Sequence, residues 1–92
     1  MNAKNEKQNY QIIINKYTRL GSKPYVRGAI HGIVSTLVVC IDDAKPEEVY
    51  TQPNYCTERY TTLNIRCSKL AYEAIIEMLN LHYRGVVFYA QP

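Results

Sequence analysis

The chain has 92 residues, a formal net charge of +3 and 47% apolar residues with tyrosine counted. That length makes one domain, and folding buries roughly 60–65% of the surface of an unfolded chain this size, so the core is small. No run approaches the ~20 apolar residues that a bilayer-spanning helix needs, and the opening MNAKNEKQ lacks the apolar region of a secretory leader. A cytoplasmic protein without a membrane segment is expected.

The charge is mild, but it is unevenly spread. Residues 1–41 hold Glu6 against Lys4, Lys7, Lys16, Arg19, Lys23 and Arg27, whereas residues 42–58 hold Asp42, Asp43, Glu47, Glu48 and Glu58 against Lys45. Such asymmetry gives the molecule a field with a direction. Cys40, Cys56 and Cys67 are odd in number and form no Cys-x-x-Cys pair, and His31 and His82 are distant in sequence from any such pair. Free, mostly buried thiols of a reducing compartment are expected, with no metal. Nine tyrosines beside one phenylalanine and no tryptophan suit half-buried and interface positions.

Residues 1–8 are polar and aperiodic and read as a flexible tail, leaving residues 9–92 as a single α+β domain. From Asn9 to about Leu20, Tyr10, Ile12 and Ile14 alternate with polar neighbours and predict a strand. Leu20-Gly21-Ser22-Lys23-Pro24 is a turn, read as a hairpin into the next segment.

Tyr25–Ile41 admits two readings. As a helix, Ala29, Ile30, Ile33, Val34, Leu37, Val38 and Ile41 form an apolar stripe. As a strand, its β-branched residues are at home, while Gly28 and Gly32 would penalise a helix. Propensity favours a long strand, bent near one of the glycines. Asp42–Arg59 is a long polar connection, with Pro46–Tyr50 fitting one helical turn. Tyr60–Cys67 alternates cleanly, with Thr61, Leu63, Ile65 and Cys67 on one face. Ser68 is an N-cap for a helix from Lys69 to about Leu81, whose stripe is Leu70, Ala71, Ala74, Ile75, Met78 and Leu79. His82, Arg84 and Gly85 suit the helix end, and residues 86–90 read as a last short strand. The expected architecture is a mostly antiparallel sheet of about four strands with one α-helix on one face, in the order β-β-β-α-β.

Such a sheet leaves one face open. Tyr17, Arg19, Lys23, Tyr25, Arg27, Arg59, Tyr60 and Arg66 are the candidates for contact with a partner or nucleic acid, because cations meet phosphates while tyrosines stack on bases or anchor interfaces. The alternative is solvated arginines with tyrosines covering the sheet. The acidic stretch 42–58 offers a second surface, suited to a basic groove on a partner. No P-loop, Gly-x-Ser-x-Gly or HExxH motif is present, so catalysis and a cofactor are not expected.

Over its full length the chain resembles, in size, single-domain layout, tyrosine content and lack of a catalytic motif, the small phage-encoded anti-CRISPR proteins, and its expected strands-helix-strand order and basic tyrosyl surface are most similar to those acting on the type I surveillance complex. The likeness involves no shared motif. It implies a non-enzymatic inhibitor, monomeric or weakly dimeric, that docks on a Cas subunit or guide RNA in the host cytoplasm and blocks target-DNA binding. A single-stranded nucleic-acid-binding protein of a phage or plasmid, and a small oligomerising assembly protein, are the alternatives.

Overall fold

The protein is described by a computed structural model covering residues 6–51 and 55–90, the side chains of residues 55 and 87–90 aside. In chain order its elements are β1 (Lys7–Asn15), α1 (Pro24–Asp42), a 3₁₀ turn (Pro46–Glu48), β2 (Tyr55–Cys56), β3 (Tyr60–Ser68), α2 (Lys69–His82) and β4 (Val87–Ala90). β1 and β3 pair antiparallel along their whole length, from Lys7 opposite Ser68 to Asn15 opposite Tyr60. They form the body of the sheet. The short β2 and β4 only edge it, in the order β2-β3-β1-β4.

The α+β class therefore holds, but the β-β-β-α-β arrangement of about four strands under one helix does not. The fold consists of two antiparallel strands and two helices, β-α-β-α. The error lies in Tyr25–Ile41, which is helix α1 rather than a bent strand. Tertiary burial overrides propensity here. Val26, Ile30, Val34 and Val38, four apart, are all buried, and Ile33, Leu37 and Ile41 pack beside them. Pro24 occupies the first turn, where its missing N–H costs nothing, and Asp43 closes the helix in the left-handed region at φ 52°. At 19 residues α1 is also long and apolar enough, by length and composition, to cross a membrane, against the expectation that no segment reaches that size. In this fold its buried stripe forms part of the domain core.

Both helices lie on one face of the sheet. Tyr10, Ile12 and Ile14 of β1 and Leu63, Ile65 and Cys67 of β3 meet Ala71, Tyr72, Ile75 and Leu79 of α2 and the α1 stripe. Tyr10 and Tyr72 stack with ring centres 3.9 Å apart. The α2 stripe differs from expectation by a rotation: Tyr72 is buried, while Leu70 is half exposed. The opposite sheet face carries Asn9, Gln11 and Ile13 from β1 and Tyr60, Thr62, Asn64 and Arg66 from β3, none of them fully buried. β1 begins at Lys7, inside the stretch expected as a tail. It ends at Asn15, five residues short of the expected strand end.

The long connection after α1 is a strap along the outer edge of β3. Arg66 N donates to Val49 O (3.0 Å) and Thr51 N to Asn64 O (3.2 Å). Tyr50 stacks on His31 at 4.2 Å and donates its hydroxyl to the His31 carbonyl at 2.7 Å, pinning the strap to α1. Burial raises the Tyr50 phenol.

Asp42 joins the two helices. One of its carboxylate oxygens accepts from Ser68 N at 2.8 Å and the other from Ser68 Oγ, which itself accepts from Ala71 N at 3.1 Å. Ser68→Ala removes the α2 cap and leaves the half-buried carboxylate short of a donor. It is expected to cost about 1–3 kcal/mol, read as a lower urea midpoint with an unchanged slope.

Of the three free thiols, expected to be mostly buried, Cys67 is buried while Cys40 and Cys56 are exposed. Burial, with the Asp42 carboxylate adding to it, pushes the Cys67 thiol from 9.0 up to about 12. A raised acid favours the folded state fully below its unfolded value, and this contribution is lost as pH climbs through the folded one. Stability should therefore fall between pH 9 and about 12. Urea titrations of Cys67→Ala should show a shallower fall. The residual slope belongs in part to Tyr50, which titrates in the same sense.

Candidate nucleic-acid interface

The link from β1 to α1 is built to hold its shape. Thr18 Oγ1 donates to Asn15 O (2.9 Å) and accepts from Gly21 N (2.9 Å). Tyr17 N donates to Asn15 Oδ1, Ser22 Oγ to Arg19 O, and Lys23 N to Leu20 O. Gly21 is required by space rather than by dihedral freedom, since a Cβ there would meet Asn15 O at 1.9 Å. The turn is thus a compact platform leading into a helix, not the hairpin expected between two strands.

That platform gathers most of the candidate residues. Lys16 N donates to Arg59 O at 2.7 Å, tying the platform to the start of β3. The Arg59 guanidinium carbon then lies 5.6 Å from the centre of the Tyr17 ring and 5.3 Å from that of Tyr60. Both distances are within cation–π range. Tyr17 is 62% exposed. Lys23 Nζ lies 5.8 Å from the Tyr25 ring centre, and Tyr25 is 70% exposed.

Asn15 N donates to Val86 O at 2.8 Å, which brings the turn after α2 to the same end. Between the two turns opens a cleft of about 560 Å³, whose lining includes Arg19, Lys23, Tyr25 and Arg84.

Arg27 is the exception among the helix residues. It is half-buried, and its Nη1 donates to Gly21 O at 2.9 Å, so it braces the platform. Tyr25 and Arg27 reach this end on the first turns of α1, not on a sheet face as expected. Arg66 stands apart, six residues along β3 from Tyr60, or about 20 Å. The open sheet face connects the two, with Gln11 Nε2 donating to Asn64 Oδ1 at 3.0 Å across the strands.

By its sequence position Arg84 belongs only to the helix end. Its proximity to Arg19 follows from the Asn15–Val86 contact, a long-range pairing with no local signal. The amides Asn9, Gln11 and Asn64 were legible only as the polar half of an alternation.

The field at this end is reinforced by α1. No acid lies in its first turn and no base in its last, whereas helices are ordinarily stabilised by the reverse arrangement. Asp42 and Asp43 sit at its far end, about 28 Å from Pro24 at 1.5 Å per residue. Among the described residues, no group of three or more His, Cys, Asp and Glu side chains could hold a metal ion.

Two glycine substitutions separate platform from helix. Gly21→Ala should destabilise by at least about 2 kcal/mol, because a backbone carbonyl must move. Gly32→Ala, where nothing lies within 4 Å of the added atom, should stabilise by about 0.5–1 kcal/mol. Thermal or urea unfolding of the pair reads both signs.

Comparison with known proteins finds no matching family model, no matching curated protein and no matching solved structure.

Proposed function

We propose that this protein acts by binding rather than catalysis, and that its target is single-stranded nucleic acid, bare or displayed by a nucleoprotein. One observation carries the proposal: the Arg59 guanidinium lies over both Tyr17 and Tyr60, at the edge of a sheet face that carries Asn9, Gln11, Ile13, Tyr60, Thr62, Asn64 and Arg66, none of them a carboxylate. Rings offer stacking surfaces to any base, amides hydrogen-bond base edges, and arginines meet the phosphates. With its short edge strands counted, the sheet order β2-β3-β1-β4 makes each helix a crossover of a split βαβ unit. In that arrangement the helices cover one face, and no described helix covers the other.

The anti-CRISPR reading is the specific form of this proposal, in which the nucleoprotein is a type I surveillance complex. The basic tyrosyl surface supports it. The observed β-α-β-α order removes the likeness in strand and helix arrangement. A bare single-strand binder is the other form, favoured by the amide-lined open face.

Fluorescence anisotropy with a labelled single strand of about fifteen nucleotides tests the proposal. Binding should weaken with salt, with a log–log slope of about −0.7 per phosphate contact. Arg59→Gln and Arg66→Gln should each reduce that slope by about 0.7, and Tyr17→Leu should cost about 1–3 kcal/mol. Binding to a purified surveillance complex without binding to bare strands selects the inhibitor form. Absence of both overturns the proposal.

A further inference from the structure

The cleft between the platform and the turn after α2 has a composition that the open face lacks. Arg19, Lys23 and Arg84 line it, and no carboxylate does among the described residues. Three like charges in one cleft repel one another and lower its stability unless an anion is present. The Lys23 side chain does not cap α1, and no acid occupies the first helical turn, so the helix N-terminus adds positive potential. Tyr25 presents a largely exposed ring at the same place. Gly85, at φ +85° with open space where a side chain would project, keeps the backbone of the far wall accessible.

An internal phosphodiester brings one negative charge, whereas a phosphomonoester brings about −1.5 to −2 near neutral pH. Three cations with no carboxylate among the described lining residues match the second better than the first. We propose that this cleft takes the phosphorylated terminal nucleotide of a single strand, with its monoester on Arg19, Lys23 and Arg84 and its base against Tyr25. This rests on the nucleic-acid reading above and assigns the end of the strand to one place. The volume, about 560 Å³, falls within the range of small-ligand sites.

The test compares one twelve-nucleotide sequence, internally labelled, with a 5′-phosphate, a 3′-phosphate or hydroxyls at both ends. One phosphorylated form should bind about tenfold or more tightly than the hydroxyl form. Arg84→Gln should erase that preference while leaving hydroxyl-strand affinity within about threefold, and circular dichroism should confirm that the variant is folded. A free nucleoside monophosphate should compete away the advantage, which distinguishes the group itself from its attachment to a strand. Equal binding of all three strands overturns the cleft assignment and leaves the nucleic-acid reading standing. Binding of none overturns that reading itself. A phosphoserine or phosphotyrosine peptide competing better than the nucleotide reassigns the cleft to protein and overturns the proposal.

Discussion

The Asp42 carboxylate, held by both the amide and the hydroxyl of Ser68, is the joint on which the arrangement of the domain turns. Ser68 ends β3 and caps α2, and Asp42 ends α1. One side-chain pair therefore fixes where three elements meet. In a chain with so small a core, the angle between the helices cannot be left to apolar packing alone, which is non-directional. Hydrogen bonds to a half-buried carboxylate are directional and strong. From this joint α1 runs back across the helical layer, and its first turn arrives beside the end of β1. The position of Lys23 and Tyr25 is thus set partly by an interaction at the other end of the helix.

The legible parts of the fold were those whose signals are local. Alternation marked β3, the Ser68 hydroxyl marked the start of α2, and Gly85 marked the reversal after it. Pro46 marked the 3₁₀ turn. Segment 24–42 was not legible by propensity, because valines, isoleucines and glycines argued for a strand while the stripe Ala29, Ile30, Ile33, Val34, Leu37, Val38 and Ile41 argued for a helix. Length should have decided between them. Strands rarely exceed about ten residues, and seventeen apolar-rich residues in one strand would have needed cover on both faces from a chain with too little left to supply it. The joint itself had no signature, since Asp42-Asp43 reads as an ordinary acidic loop until the fold delivers it to Ser68.

The candidate surface was legible as a composition and not as a geometry. Arginine and tyrosine at neighbouring positions suggested a mixed cationic and aromatic patch, and most of the named residues do share one end of the molecule. They do so through a hydrogen-bonded platform and a helix N-terminus rather than through the face of a hairpin. Arg27 acquired a bracing role, Arg66 lies well along the sheet, and Arg84 joined from the other end of the chain.

The reversed charges of α1 have a mechanical consequence. A helix with cations about its N-terminus and carboxylates at its C-terminus adds its own macrodipole to theirs instead of opposing it. That enlarged moment lies along one rigid axis. In a non-uniform potential it contributes a torque that turns the N-terminus of α1 towards negative charge, while Lys7, which shares a pocket with Asp42 and Asp43, offsets part of the charge at the other end.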